Sequence, residues 1–271
     1  MDKNENINRS TKDNRQKGLE KSDEVLKNND IRISVIIPLL NEEKLIKRVL
    51  SQFTDDFKKQ HNVELILSDG GSTDNTLNII NSGYDKLIVN DKRTKQNISR
   101  GRNLGAKNAE GDILVFFNAD TYSSDINQMF NRLKNIISHN GIVAIAYPIK
   151  VFKEESKLSD KIFHFFYNTY VRVLNFLNIG MARGECHVVT KEAFLKVNGY
   201  NENLVAGEDF DLYRRLAKFG KIYFSKEDLI YESPRRYRKY GYVKLFLLWA
   251  INAFWIIFFN KSFSKNWEPI R

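Results

Sequence analysis

A buried strand that ends in polar side chains is the first place in this sequence where chemistry could occur. The stretch GDILVFFNAD, residues 111–120, has five consecutive apolar residues followed by Asn118, Ala119 and Asp120. Asn and Asp are also common turn residues, so an ordinary turn is one interpretation. The other is a ligand site, because open α/β sheets bind ligands at the carboxyl ends of their parallel strands. The carboxylate could ligate a hard divalent cation, and the amide could hydrogen-bond hydroxyl groups.

Two earlier apolar runs end in the same way. Residues 31–40 run into Asn41 and Glu42, and the run VELILS at 63–68 is followed by Asp69 and a Gly-Gly-Ser turn. The carboxyl ends of such strands meet at one edge of a parallel sheet, so their polar side chains converge. The glycines permit close approach to the backbone, and the free N–H groups of the helix that follows favour an anion.

The carboxylate pair Glu208-Asp209 opens a predicted helix further along the chain. Acidic side chains in the first turn are favoured by the helix dipole, so a capping role is one interpretation. The chemical interpretation is a general base, since a positioned carboxylate can take the proton of an attacking hydroxyl group. The pair alone does not decide between the two.

The elements that position these residues alternate between strands and helices. Apolar runs predict strands at 31–40, 63–68, 86–89, 113–117, 142–149, 186–190 and 221–224. Helical spacing and start signals predict helices at 45–53, 76–80, 97–109, 125–138, 191–197 and 208–219. Asn41 is expected to cap the first helix. Alternation of this kind is typical of βαβ units, so we predict an α/β fold with a mostly parallel sheet.

The composition indicates a basic, globular protein of 271 residues with a net charge of +10. The positive excess favours an anionic partner, such as phosphates, a nucleic acid or an anionic membrane surface. Cys186 is the only cysteine, which excludes an intramolecular disulfide and a thiolate metal cage. The four histidines lack the spacing of a zinc site, and the N-terminus lacks the apolar segment of a secretory signal. The chain has neither a GxGxxG motif after the first strand nor a Walker lysine motif.

Four motifs, in this order, resemble those of the family 2 glycosyltransferases of the GT-A fold. They are SVIIPLLNEE, LILSDGGSTDNT, SRGRNLGAKNAEGDILVFFNAD and GEDFDLYRRL, and the resemblance covers about residues 31–240. It implies a GT-A-type, Rossmann-like domain, a nucleotide-sugar donor and a Mg²⁺ or Mn²⁺ cofactor. It also implies transfer with inversion at the anomeric carbon in one displacement.

The resemblance assigns donor-binding roles to the first two motifs. Pro38, Leu40 and Glu42 would lie against the base and ribose of the nucleotide. Asp69 would accept a hydrogen bond from the base, and Ser72 follows it at the start of the anion-favouring helix. The family usually has an aromatic residue where this chain has Leu40, which weakens stacking on the base.

The later motifs would meet the diphosphate and perform the transfer. Arg102 would lie near the diphosphate. Asn118 and Asp120 stand where the family has its metal-binding Asp-X-Asp, and the last carboxylate is commonly the direct ligand. We therefore expect the metal on Asp120 and hydroxyl groups at Asn118. Asp209, with Glu208 beside it, matches the catalytic carboxylate, and it would only orient an acceptor that is already an anionic lipid phosphate.

The C-terminal part of the chain predicts a membrane contact. Residues 245–260 are uncharged and would form a helix about 24 Å long, against roughly 30 Å for a bilayer's hydrocarbon core. Just upstream, residues 233–240 carry four basic side chains, which suits an anionic membrane surface. The alternative is a helix packed in the core. The aromatic stretch 162–177 is either a second contact or an ordinary amphipathic helix.

These observations predict a disordered polar tail over 1–30, a GT-A domain over 31–240 and an apolar, membrane-proximal helical tail over 241–271. The leading hypothesis is a metal-dependent inverting glycosyltransferase at the cytoplasmic face of the cell membrane, or otherwise in the cytoplasm. It would move a sugar from a UDP- or GDP-linked donor to a lipid-phosphate, glycan or other membrane-proximal acceptor.

Two other functions stay open. A sugar nucleotidylyltransferase would normally have a Gly-rich basic loop after its first strand, where this chain has PLLNEEK. A non-catalytic module that binds nucleotide-sugars or nucleic acid is kept open by Asn118. We expect no nucleic-acid partner, because aromatic and basic residues do not interleave on one predicted strand.

Overall fold

Ten strands and ten helices make up the part of the chain described by the structure, a computed structural model covering residues 31–80, 82–90 and 97–266. The strands are β1 (Ile33–Leu39), β2 (Val63–Asp69), β3 (Lys86–Val89), β4 (Ile113–Phe117), β5 (Thr121–Ser123), β6 (Ile142–Ala146), β7 (Ile149–Val151), β8 (Cys186–Thr190), β9 (Lys221–Phe224) and β10 (Ile230–Glu232). The helices are α1 (Ile46–Leu50), α2 (Asp55–His61), α3 (Thr76–Ile79), α4 (Ile98–Lys107), α5 (Ile126–Ile137), α6 (Leu158–Phe176), α7 (Lys191–Lys196), α8 (Glu208–Leu216), α9 (Arg235–Tyr240) and α10 (Tyr242–Phe259). The predicted disordered tail, 1–30, lies outside the described residues.

Seven of the strands form one sheet in the order β3-β2-β1-β4-β8-β6-β9. The strands β3, β2, β1 and β4 are parallel, and so are β6 and β9, whereas β8 runs antiparallel to both of its neighbours. This confirms the predicted α/β class with a mostly parallel sheet. The predicted division of the chain at residues 240–241 stays a prediction.

The central strands are buried on both faces because helices cover each side of the sheet. Val35 and Ile37 of β1 belong to one hydrophobic cluster, while Ile36 belongs to the cluster on the opposite face. All three side chains are fully buried. A strand covered on both faces reads as a continuous apolar run rather than an alternating one, which is why β1 could be found from its composition.

The predicted strand at 142–149 is wrong as a single element. β6 ends at Ala146 in the main sheet, and β7 begins at Ile149 in a second, three-stranded sheet of order β5-β10-β7. Pro148 lies at the break and cannot donate a ladder hydrogen bond. Its carbonyl instead accepts from the backbone N–H of Ile230 in β10. β5 and β10 were not predicted, since three-residue strands carry almost no periodic signal.

The prediction that Asn41 caps the helix after β1 is also wrong. That helix, α1, begins only at Ile46, and Asn41 has a left-handed backbone with a φ of 55°. The Asn41 side-chain oxygen accepts a hydrogen bond of 2.7 Å from the N–H of Thr73. Asn tolerates this conformation better than most residues, so Asn41 joins the loop after β1 to the loop after β2.

The helix α2 was missed because its sequence, DDFKKQH, is mostly polar. Thr54 caps it by accepting from the N–H of Phe57, and Asp55 and Asp56 lie in its first turn. Only Phe57 and His61 are buried. A seven-residue helix with two buried positions is below the length at which helical spacing can be recognised.

Candidate active site

A cavity of about 650 Å³ lies at the carboxyl ends of β1 and β4. Its walls also include the start of α8 and parts of α4, α6, α9 and α10. Most of the side chains singled out in the sequence line it, namely Pro38, Leu40, Glu42, Arg102, Asn118, Asp120, Glu208 and Asp209. The second motif contributes Ser68 and Gly70, so the structure brings all four motifs to one cavity.

Asp69 and Ser72 do not line this cavity. Asp69 is buried, and its carboxylate accepts from the backbone N–H groups of Gly71 at 2.8 Å and Ser72 at 3.0 Å and from the Ser72 hydroxyl at 2.5 Å. These bonds hold the turn after β2, in which Gly71 has a φ of 96°. The role of Asp69 toward a nucleotide base stays a prediction, and its ligand-free role is to shape the turn.

The helix α4 delivers Arg102 to the cavity because small residues let it pack close to β1. A Cβ atom on Gly105 would lie 2.3 Å from the Cγ2 atom of Ile36, and one on Gly101 would lie 3.2 Å from the Cβ of Pro38. Any larger side chain at Gly105 would therefore push the helix away from the strand. The glycines of the SRGRNLG motif are explained by this close packing.

Arg102 is fully buried and joins three separate segments of the chain. Its Nη1 donates to Glu208 Oε1 at 3.1 Å, and its Nη2 donates to Asn118 Oδ1 at 2.9 Å and to the Gly184 carbonyl at 2.7 Å. Burial opposes its charge, but Tyr200 and the carboxylates of Glu208 and Asp209 outweigh that effect and raise the pKa of Arg102. Three acceptors thus fix the position of a buried, charged guanidinium beside Asn118, at the end of β4.

The two carboxylates of α8 have different surroundings. Gly207, with a φ of 80°, begins the helix, and no side chain caps it. Glu208 pairs with Arg102, whereas within the described part of the chain the Asp209 side chain accepts a hydrogen bond from the N–H of Phe210, at 2.8 Å. Burial, and then the neighbouring charge of Glu208, raise the pKa of Asp209 to about 7. Asp209 is therefore poised to exchange a proton near neutral pH.

Asp120 is engaged by a residue that the sequence motifs did not indicate. Arg235 Nη2 lies 2.9 Å from Asp120 Oδ2 and 3.1 Å from Glu42 Oε2, so one guanidinium bridges the ends of β1 and β4. Arg235 begins α9, which lies in the basic segment predicted from the sequence to meet an anionic membrane surface. The high density of arginines in this segment was the only indication in the sequence that it has a function. It did not indicate that an arginine side chain reaches the cavity.

A buried ionic network supports the loop between α6 and β8. Arg183 donates to Glu185 Oε1 at 3.0 Å and to the Tyr237 hydroxyl at 2.6 Å, and it also pairs with Glu232. Burial raises the pKa of Glu232 well above its ordinary value. The backbone of the same loop meets the site, since the Glu185 carbonyl accepts from the N–H of Asn118 at 3.1 Å. This network was not visible in the sequence, and its members hold the cavity wall in place.

The family model described as glycosyltransferase like family 2 matches residues 34–247. The chain belongs to the family 2 glycosyltransferases. The match covers β1 through the first turn of α10 and contains all four motifs. Membership argues against the nucleotidylyltransferase alternative.

One characterised relative of this family 2 glycosyltransferase is archaeal. The chain is 42% identical over 135 residues to the dolichyl N-acetyl-alpha-D-glucosaminyl phosphate 3-beta-D-2,3-diacetamido-2,3-dideoxy-beta-D-glucuronosyltransferase of Methanococcus voltae. The match covers 47% of this chain and 37% of that protein. The chain thus spans well under half the length of this relative.

Solved structures of two glycosyltransferases share the fold. The mannosyltransferase PcManGT of Pyrobaculum calidifontis, in complex with GDP-Man and Mn²⁺, matches with a TM-score of 0.63 and 18% identity, over 83% of this chain and 62% of that one. TarS 1–349 of S. aureus, in complex with UDP-GlcNAc, matches with a TM-score of 0.55 and 18% identity, over 75% and 58%. At these identities the likeness establishes the GT-A fold alone.

The carboxylate of Asp120 is the kind of oxygen ligand that a divalent cation prefers. Within residues 31–80, 82–90 and 97–266, no group of three or more His, Cys, Asp or Glu side chains could hold a metal. Mg²⁺, however, is usually bound through one or two carboxylates together with substrate phosphates. Asp120 can supply the carboxylate once Arg235 releases it, because the guanidinium now neutralises the charge that a metal would.

The raised pKa of Asp209 gives this family 2 glycosyltransferase a pH-dependent prediction. A general base acts in its deprotonated form, so kcat/KM should rise with pH through an acid limb near pH 7. Glu208→Gln removes the adjacent negative charge that helps to raise this pKa, so the acid limb should move to lower pH. Transfer assayed between about pH 5 and 9 checks this, because that window brackets the expected limb.

A matched control for that experiment is Glu192→Gln on α7. Glu192 is exposed and pairs only with Lys196 on the same helix, so its loss should leave the profile in place. An acid limb that stays at the same pH in Glu208→Gln would contradict the proposed coupling between the two α8 carboxylates.

Proposed function

We propose that this family 2 glycosyltransferase transfers a sugar, with inversion, from a UDP- or GDP-linked donor to a lipid-linked acceptor at the cytoplasmic face of a membrane. One observation carries the proposal. A strand-end carboxylate, Asp120, a buried arginine, Arg102, and a carboxylate with a raised pKa, Asp209, line the same cavity. These are the three groups that a single displacement from a nucleotide-sugar requires.

The positive charges in the cavity support a nucleotide-sugar as the donor. A departing nucleoside diphosphate gains negative charge as its bond to the sugar breaks, and preorganised positive groups stabilise that charge. Arg102 and Arg235 both line the cavity. A divalent cation on Asp120 would add charge neutralisation of the same kind when bound. Support comes from the GDP-Man and Mn²⁺ bound to one structural neighbour and the UDP-GlcNAc bound to the other.

Asp209 is the residue that would activate the acceptor. As the acceptor oxygen attacks the anomeric carbon, the bond from that carbon to the diphosphate oxygen breaks and the hydroxyl proton passes to the Asp209 carboxylate. A base with a pKa of about 7 is matched to this task, since half of it is deprotonated near neutral pH while it keeps useful basicity. Attack from the face opposite the diphosphate gives inversion.

A lipid-linked acceptor is supported by the chain's own apolar surface and by a relative. The helix Tyr242–Phe259 is long and apolar enough to cross a membrane, and it also contributes residues to the cavity. The Methanococcus relative is named for an acceptor in which dolichyl phosphate carries a sugar. We infer an acceptor of the same chemical class, a sugar or phosphate on a long hydrocarbon chain.

Thermal unfolding with a panel of nucleotide-sugars, each with and without Mn²⁺, tests the donor assignment. A ligand at 100 times its Kd stabilises a folded protein by about 2.7 kcal/mol, which is readily measured. We expect one UDP- or GDP-sugar to stabilise the protein, and more so with Mn²⁺. Asp120→Asn should abolish the Mn²⁺-dependent part, whereas Asn118→Asp should keep or strengthen it.

Arg235→Gln is the matched control for Asp120→Asn. Both variants remove the same ion pair, but only Arg235→Gln keeps the carboxylate. The Mn²⁺-dependent part of the donor stabilisation should therefore persist in Arg235→Gln, even though the loss of its positive charge should weaken donor binding in the absence of metal. If Asp120→Asn binds donor and Mn²⁺ as the wild type does, Asp120 is not the metal ligand. If no nucleotide-sugar stabilises the protein under any condition, the donor proposal itself fails.

A further inference from the structure

The helix α6 exposes large aromatic side chains on its outer side. Its buried side carries Tyr167 and Val171 together with the polar Asp160, His164 and Asn175, whereas Phe165 and Phe176 on the outer side are 68% and 88% exposed. Large aromatic side chains normally occupy the inner face of a surface helix. An outer face of this kind, repeated along five turns, marks a surface that is covered by something apolar.

The helix α10 has the same character and packs beside α6. Its outer side exposes Leu247, Phe254 and Phe258, while the polar Asn252 is buried. The rings of Tyr167 on α6 and Trp249 on α10 stack with their centres 5.5 Å apart. The exposed apolar side chains of α6 and α10 together are called the apolar face below.

The contacts of α10 show how it is oriented against the rest of the protein. Leu245, Trp249, Asn252 and Ile256 follow one another at intervals of four, three and four residues, and all are buried or half-buried against the protein. One stripe along the helix therefore packs on the catalytic domain from the first turn to the last. A helix held along its whole length cannot also stand upright through a bilayer that excludes this domain.

Both ends of α10 are also tied to the domain. At the start, the Tyr242 hydroxyl accepts from Arg238 Nη1 at 2.6 Å and is bonded to Asp160 of α6. After the end, the Ser262 hydroxyl accepts from the N–H groups of Val205 at 3.0 Å and Ala206 at 3.2 Å. The chain therefore returns to the same side from which the helix started, as a helix lying on a surface does.

The charge around the apolar face identifies what covers it. From residue 234 to residue 266 the sequence has seven Lys or Arg residues and no acidic residue. Arg235 and Arg238 pair with carboxylates inside the protein, and the other five are Arg236, Lys239, Lys244, Lys261 and Lys265. The only acidic residue of α6, Asp160, is buried and neutralised by Arg238. An apolar surface with a basic rim complements a leaflet that contains anionic lipids, in which hydrocarbon lies beneath negative headgroups.

The catalytic cavity reaches this face. Tyr167 and Tyr170 of α6 and Phe246 and Trp249 of α10 line it, as does Asp209. Tyr170 and Phe246 are 43% and 41% exposed, so they belong to both the cavity and the outer surface. An aromatic passage thus joins the apolar face to the polar residues of the site.

We propose that α6 and α10 form one docking face that lies in the plane of an anionic leaflet, and that the acceptor lipid enters the catalytic cavity from that leaflet. α10 is then an in-plane helix and not a membrane span. The entry of the acceptor rests on the proposed function, but the docking of the face does not.

Spin labels at Leu247→Cys and Phe258→Cys, in separate full-length variants, test the orientation on vesicles of phosphatidylglycerol and phosphatidylcholine. The two positions lie on the same side of α10, and eleven residues correspond to about 16 Å along a helix. The native Cys186 is buried, so the label goes to the new thiol. We expect the two spin labels to lie at equal depths in the bilayer. Depths that differ by the full helical distance would show a span and overturn the proposal.

A second experiment asks whether α6 belongs to the docking face. The double variant Phe165→Ser with Phe166→Ser should bind the same vesicles at least about tenfold more weakly, because two buried aromatic contacts with lipid are lost. Leu195→Ser on α7 is the matched control, since Leu195 is 62% exposed and lies outside the face. Vesicles of phosphatidylcholine alone should bind the wild type more weakly than the mixture.

Two results would overturn the assignment of α6. One is full vesicle binding by the double variant. The other is a wild type that ignores vesicles but forms a dimer that the double variant dissociates, because the face would then join two copies of the chain. Thermal stabilisation by the donor, measured on the same variants, should stay at the wild-type level. If no donor stabilises the wild-type protein, that result would count against the proposed function, not against the docking face.

Discussion

Replacing Asp209 by Asn is expected to lower the rate of transfer to a hydroxyl acceptor by about 10²–10⁴-fold, the usual contribution of a general base. Asparagine has nearly the same shape but cannot take the proton. Asp209 lies on the start of α8, while the positive charge that would meet the donor comes from Arg102 and from a cation held by Asp120. Donor affinity should therefore stay close to the wild-type value, and the loss should fall on the chemical step. Calorimetry of the donor and single-turnover transfer measure the two quantities separately.

The acceptor decides how large the effect of Asp209→Asn is. A lipid phosphate is already anionic near neutral pH, its second pKa being about 6, so no proton has to be removed and the loss should be smaller. Asp211→Asn is the control, because Asp211 lies two residues further along α8 and pairs with Arg215 at 2.7 Å. Wild-type transfer by Asp209→Asn with every acceptor would show that Asp209 is not the general base and only places an acidic side chain in the first turn of α8.

Replacing Arg102 by Met is expected to destabilise the protein by about 3–5 kcal/mol, the usual result of breaking a buried ion pair from one side. The change leaves the Glu208 carboxylate, the Asn118 side-chain oxygen and the Gly184 carbonyl without their donor. Donor affinity should fall as well, because the cavity loses a buried positive charge. Urea unfolding and donor calorimetry give the two losses.

Two further variants separate charge from geometry at Arg102. Arg102→Lys keeps the charge but cannot present the planar fork of a guanidinium to three acceptors, so its stability should lie between those of the wild type and Arg102→Met. Adding Glu208→Gln to Arg102→Met should recover part of the lost stability, since the unpaired carboxylate is then gone. An unchanged urea midpoint in Arg102→Met would show that the ion pair contributes little.

The parts of the fold that could be predicted are the elements whose burial is visible in the order of apolar and polar residues along the chain. β1, β2 and β4 are covered on both faces, so their apolar runs are continuous, and the polar residues after them follow from the topology of a parallel sheet. The second sheet could not be found in this way, because β5, β7 and β10 have three residues each. Pro148 was the one local sign that the run at 142–149 is divided.

The site residues that lie in motifs at strand and helix ends could be predicted from the sequence. The tertiary contacts of the site could not be predicted. The ion pair between Arg235 and Glu42 joins residues 193 positions apart, and nothing local to either one indicates the other. Arg183 is likewise a single basic residue in a turn-rich stretch until the fold places it between Glu185 and Glu232. Likewise, Asp69 has the residue type expected of a base-binding group, but the structure shows its oxygens bonded to its own turn.

Gly207 is a point at which α10 touches the start of α8. A Cβ atom there would lie 2.7 Å from the Cδ1 atom of Ile256, so the backbone immediately before Glu208 and Asp209 rests directly on α10. If α10 lies at a fixed level in the leaflet, this contact sets the height of the Asp209 carboxylate above the lipid headgroups. Acceptors would then be sorted by length, since only those whose reactive hydroxyl stands at that height above their own lipid anchor could reach the base.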